Sequence, residues 1–125
     1  MALTKVTYDV LEDRFTKVQT ITTTSGTINL DASSYSTFRL TSDLTGATTL
    51  NIQNMRTNQV IDITVSGSQT ITFSSDDTSE TFNKVGSTDY DGANDNHIQV
   101  ICLDDSDSAA IYNYTIGTYT SDTTP

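Results

Sequence analysis

The chain has no tryptophan, one cysteine, one proline and one histidine in 125 residues. The single cysteine, Cys102, excludes an internal disulfide. One His and one Cys do not complete a three- or four-ligand zinc site without carboxylates. The only proline is Pro125, so turns within the chain have to be built from Gly, Ser, Asn and Asp. Basic residues are scarce as well, six against sixteen acidic ones, for a net charge of −10. Lys5, Arg14, Lys17, Arg39, Arg56 and Lys84 form no run, which argues against nucleic acid, where Lys and Arg must displace phosphate counterions. An anionic membrane surface would repel such a chain. No apolar run approaches the ~20 residues of a membrane span, and no secretory signal is read at the N-terminus. Synthesis in a reducing cytoplasm follows as the expectation.

What the chain does have is alternation. Apolar content is only 34 % and charged content 18 %, yet Ile, Val and Thr recur at period two between Gly, Ser, Asn and Asp, from Gly26 to Phe73. That is the signature of half-buried strands with turn chemistry between them. Disorder is the competing reading of low hydrophobicity, but disordered segments lack sustained β-branched alternation. At this length one domain with its own core is expected.

Strands are expected over residues 16–23, 27–30, 35–41, 47–52, 60–65, 70–73, 97–103 and 109–117. Ile28, Leu30, Phe38, Leu40, Leu50, Ile52, Ile61, Ile63 and Val65 face inward, and Arg39 faces out. Ser66-Gly-Ser reads as a hairpin turn. Residues 74–96 read as one long polar loop anchored by Phe82 and Val85, and loops of that length are commonly functional. No internal repeat is evident, which argues against a solenoid or propeller. The fold expected is all-β: an antiparallel β-sandwich of about eight strands, jelly-roll-like, with an N-terminal arm. The domain is placed at 16–117, the arm at 1–15 and a flexible polar tail at 118–125. Six apolar residues of the arm (Leu3, Val6, Tyr8, Val10, Leu11 and Phe15) are too many for a solvated tail and mark a subunit interface.

Sites for chemistry are few. Asp89-Tyr-Asp-Gly-Ala-Asn-Asp-Asn96 has the oxygen density of a calcium loop. It departs from EF-hand spacing, with Gly92 fourth and no closing Glu. Asp104, Asp105 and Asp107 are candidate additional ligands, while a solvated acidic loop is the simpler reading and no metal is assigned. His97 has no nucleophile at a telling spacing, so a Ser-His-Asp hydrolase is not supported. Asp76, Asp77 and Glu80 sit among hydrophilic neighbours that do not raise a carboxyl pKa, which argues against glycoside cleavage. Cys102 lies in an apolar run as a small hydrophobe. The six tyrosines suit packing or sugar contact. No cofactor and no enzymatic activity are expected.

Two stretches carry a resemblance. Met1-Ala-Leu-Thr-Lys-Val-Thr-Tyr8 resembles the N-terminus of many tailed-bacteriophage virion proteins, especially tail fibres and spikes, where it belongs to the part attached to the particle. Gly26-Thr-Ile-Asn-Leu-Asp-Ala, Phe38-Arg-Leu, Thr48-Thr-Leu-Asn-Ile-Gln-Asn and Thr70-Ile-Thr-Phe are similar to a β-sandwich module of phage structural proteins. The chain lacks the large β-helix that follows this opening in spikes, and residues 74–96 replace a shorter Trp-containing loop. The resemblance therefore implies a small, non-enzymatic virion protein that decorates or cements the outer capsid surface. Its expected partners are the major capsid protein and copies of itself, with a trimer compatible with three-fold capsid sites. The alternative is a short tail or head fibre component that binds host glycans through residues 74–96 and Tyr90.

Overall fold

The computed structural model describes residues 17–124, and the expected arm, including Leu3, Val6, Tyr8, Val10, Leu11 and Phe15, lies outside the described residues. Nine strands and no helix make up the described chain: β1 (Val18–Ile21), β2 (Gly26–Asp31), β3 (Thr37–Leu40), β4 (Thr48–Gln53), β5 (Val60–Val65), β6 (Ile71–Ser75), β7 (Glu80–Lys84), β8 (Asp95–Asp104) and β9 (Ala110–Tyr119).

Period-two alternation gives each strand one apolar face, and those faces meet between two sheets. The larger sheet runs β1-β3-β5-β8-β9-β7 and the smaller β2-β4-β6. Ile28, Leu30, Leu50 and Ile52 from the smaller sheet are buried in the same core as Phe38, Leu40, Ile61 and Ile63 from the larger. The inward assignments made from the pattern hold at each of these positions, and Val65 and Cys102 are buried as well. Fully burying one such aliphatic side chain is worth roughly 1.5–3 kcal/mol, so this cluster dominates the stability of the domain.

The connectivity differs from the antiparallel expectation. From β1 to β6 the chain alternates between the sheets, and each strand lies parallel to the one two places earlier. Five of the seven pairings are parallel; only β5–β8 and β8–β9 are antiparallel. The architecture is a short two-stranded coil repeated three times, closed by a hairpin, rather than a jelly roll. An internal repeat is therefore present after all. Thr27-Ile28-Asn29, Thr49-Leu50-Asn51 and Thr72-Phe73-Ser74 stack in register across β2, β4 and β6. Their outward side chains bond along the stack: the Thr49 and Thr72 hydroxyls are 2.9 Å apart. Asn51 Nδ2 donates to Asn29 Oδ1 at 2.9 Å, and Ser74 Oγ donates to Asn51 Oδ1 at 2.8 Å.

Turn chemistry misleads at Ser66-Gly67-Ser68, because β5 and β6 belong to different sheets and form no hairpin. The turn carries the chain from one sheet to the other. Gly67 has φ +109°, and a Cβ there would lie 2.2 Å from the Leu44 nitrogen, so only glycine fits. Two further boundaries are corrected. Residues 74–96 are not one loop, since they contain β7, which pairs parallel with β9. Strand β9 outruns the end expected at residue 117 and reaches Tyr119, which pairs with Asp95.

Candidate functional site

Three strands of the smaller sheet cannot cover six of the larger, and the mismatch leaves a groove. Its wall is β6, an edge strand hydrogen-bonded only to β4. Ile98 of β8 with Tyr114 and Ile116 of β9 forms the floor, and Phe82 of β7 with Tyr90 closes the sides. The cavity measures about 460 Å³. Its aromatic rings are in contact: Phe73 lies 5.4 Å from Phe82 and 4.8 Å from Tyr114, and Phe82 stacks on Tyr112 at 4.8 Å. Rings at such separations attract one another beyond their buried area. Polar groups are few but fixed. The Lys84 ammonium is paired with the Asp89 carboxylate at the mouth. Tyr90 donates its hydroxyl to the Gly67 carbonyl at 2.8 Å, and burial, with Asp43 and Asp91 nearby, raises its pKa.

Tyr112, stacked on Phe82, is buried and carries its hydroxyl in beside this cluster. It donates to Asp77 Oδ2 at 2.5 Å, and Ser75 Oγ donates to the same oxygen at 2.7 Å. Burial, then the Asp77 contact, pushes the Tyr112 pKa well up, so the phenol stays protonated as a donor.

A second surface lies on the outer face of the larger sheet. Val60 and Ile101 are register partners, and with Val85, Gln99, Asn113 and Tyr114 they line a depression of about 230 Å³. Val60, Val85 and Leu103 are 38 %, 53 % and 44 % exposed.

The residues singled out from sequence fall in separate places. His97 is exposed on this outer face; its Nε2 lies 2.7 Å from Asp62 Oδ1, which also accepts from Gln99 Nε2. The acidic groups considered for calcium do not converge. Asp95 opens β8 and Asp104 ends it, and ten residues of strand span about 33 Å. Asp91 accepts from the Ala93 nitrogen and Asn94 Nδ2, whereas Asp107 accepts from the Thr78 nitrogen and hydroxyl. Among the described residues no group of three or more His, Cys, Asp or Glu is placed to hold a metal ion. Cys102 is fully buried, and burial pushes its thiol up to about 11. Phe82 anchors to the core as expected, but Val85 does not.

The groove was missed in sequence because its walls come from β6, β7, β8 and β9, brought together only by pairing. The one local signal was Phe82, flanked by Thr81 and Asn83 in an otherwise polar stretch. The described residues form an all-β protein of mixed sheets with two apolar surface depressions. No known protein family, curated protein or solved structure matches the chain.

Proposed function

We propose that this chain is a non-enzymatic structural protein of a bacteriophage virion, bound to the outer surface of the capsid and tying neighbouring subunits together. In this reading the arm, through Leu3, Val6, Tyr8, Val10, Leu11 and Phe15, lies against capsid subunits, and the β-domain projects from the shell. The observation that supports the binding role is the exposure of Val60 and Val85, which line one depression with Ile101, and of Leu103 further along β8, apolar side chains that a partner surface would cover. The net charge of −10 suits a protein held outside the shell, away from packaged nucleic acid. The opening octapeptide, similar to the particle-attached end of phage fibres, supports the same placement.

Deleting residues 1–15 tests the reading. The truncated protein is expected to keep its β-sheet circular dichroism and to lose its place on purified particles. Particles that retain it at full occupancy would refute the arm as the attachment element.

A second reading, a fibre component binding host glycans, has one observation in its favour. The groove offers Phe73, Phe82 and Tyr114 as apolar platforms with Lys84 and Asp89 as polar handles. A glycan array with the intact protein and with Phe82→Ala distinguishes the two, since signal that depends on Phe82 is expected only of the second.

A further inference from the structure

We propose that the groove beside β6 is a binding site for a small amphipathic carboxylate, with an alkyl chain along the groove floor and its head on the Lys84 ammonium in place of Asp89. Such a site is independent of both the capsid and the glycan reading.

The groove is a part of the core left unfilled. Ile71, Phe73, Phe82, Tyr114 and Ile116 pack against the central cluster but stay only partly buried. The space they border, about 460 Å³, is of the size that small-molecule sites have. Among the described residues that line it, the charged ones are Lys84 and Asp89, and they are paired with each other. A mostly apolar lining with one charged pair suits a ligand that has a single polar end.

The apolar part favours a chain over a ring. Phe82 is stacked between Phe73 at 5.4 Å and Tyr112 at 4.8 Å, within 19° and 15° of parallel. Both of its faces are therefore taken, and a planar ligand has nothing to stack on there. What remains is ring edges, the tilted Tyr114 and the side chains of Ile71, Ile98 and Ile116. Unbranched, freely rotating chains fill irregular apolar gaps of this kind, as methionine does in cores.

The head group follows from the unequal exposure of the ion pair. Lys84 lies on the same side of β7 as Phe82. Its side chain is 30 % exposed, whereas that of Asp89 is 84 % exposed. Asp89 can return to water at little cost, because an exposed partner contributes little to such a pair. A partly buried ammonium without an anion is costly. A carboxylate that brings its own apolar body satisfies Lys84 and covers the half-buried floor in one step. Asp43 and Asp91 are close enough to Tyr90 for their charges to act on it. Their field opposes a second negative charge, which favours a monoanionic carboxylate over a phosphate dianion.

Calorimetric titration of the full-length protein with sodium decanoate, below its micelle concentration, tests the site. Sodium hexanoate and decyltrimethylammonium serve as matched probes. Decanoate is expected to give saturable heat at one site per chain. Hexanoate should bind more weakly, by about fourfold per buried methylene lost, and the ammonium probe should give no saturable heat. Lys84→Met should weaken decanoate binding about tenfold, while Asp89→Asn should tighten it by removing the competing carboxylate. Those opposite responses separate a binding lysine from a latch that only holds the groove in shape, for which both substitutions would weaken binding alike. Both residues are at the surface, so circular dichroism should be unchanged in each variant. No saturable heat with decanoate, equal binding of decyltrimethylammonium, or weaker binding in Asp89→Asn would each overturn the proposal.

Discussion

Individual polar residues tie the ends of the stack, and three of them make opposite predictions. Asn96 is fully buried. Its Nδ2 donates to the carbonyls of Asp91 and Asn94 at 2.8 and 2.9 Å, and its Oδ1 accepts from the Asp91 nitrogen at 3.0 Å. Asn96→Ala strands these backbone groups, so a loss of about 2 kcal/mol or more is expected in urea unfolding. Gln19 works in the other direction. Its Oε1 is buried and is the one such side-chain atom without a hydrogen-bond partner among the described residues. Gln19 is the register partner of Phe38, so Gln19→Leu removes an unmet acceptor beside an apolar ring and is expected to raise the urea midpoint. Asp31 supplies the pH dependence. Hydrogen bonds from the Ser33 hydroxyl, then Asn54, the Ser33 nitrogen and Ser34, hold its pKa below the ordinary 3.8 against a burial effect of opposite sign. The folded value is depressed, so its stabilisation is complete above about pH 4 and disappears as pH falls through the lowered value. The acid limb of the stability curve should be shallower in Asp31→Asn than in the parent; identical limbs would remove Asp31 from the account.

At the scale of strands, the faces were legible in the sequence and the partners were not. Ile61, Asp62, Ile63, Thr64 and Val65 alternate inside and partly exposed as their order dictates. The same alternation serves a hairpin or a parallel coil, and Ser66-Gly67-Ser68 is suitable turn chemistry for either. What distinguished them was spacing. Ile28 pairs with Leu50 and Leu50 with Phe73, so the chain returns to the smaller sheet at a nearly constant interval, with a strand of the larger sheet in between. Strand β7 left almost no trace, because Glu80-Thr-Phe-Asn-Lys has a single apolar residue and owes its order to tertiary contacts. It is an edge strand, paired only with β9 and pinned by Phe82 between Phe73 and Tyr112. The candidate site was hidden for the same reason. Phe82→Ala is therefore expected to cost about 2–3 kcal/mol and to raise amide exchange selectively over Glu80–Lys84. Equal acceleration in β5 would show instead that β7 unfolds only with the whole domain.

Considered as a whole, the molecule has almost no local pairing from which to start folding. Val18 pairs with Thr37, Thr37 with Asp62, and Glu80 with Ala110, each across intervening strands or long turns. Val60 meets Ile101 only after the chain has passed through β6 and β7. The β8–β9 turn alone, where Asp104 pairs with Ile111, closes a short loop. Each parallel pairing pays loop-closure entropy before burial repays it, and sheets of this kind fold in about milliseconds to seconds rather than microseconds. The β8–β9 hairpin is then the natural nucleus, with β5 joining β8 and the coils adding outward from β5 to β3 and β1. Two slow steps common in other proteins have no source here: there is no disulfide to form, and the only proline is Pro125 at the far end. Stopped-flow refolding of the 17–124 region, followed by tyrosine fluorescence, should accordingly show a phase within that window and none of tens of seconds that a prolyl isomerase accelerates. Weakening the hairpin with Ile116→Ala, which removes the side chain opposite Ile98 across the β8–β9 pair, should slow refolding more than it speeds unfolding if β9 is in the nucleus. The reverse partition would place nucleation in the coils, with the hairpin docking afterwards.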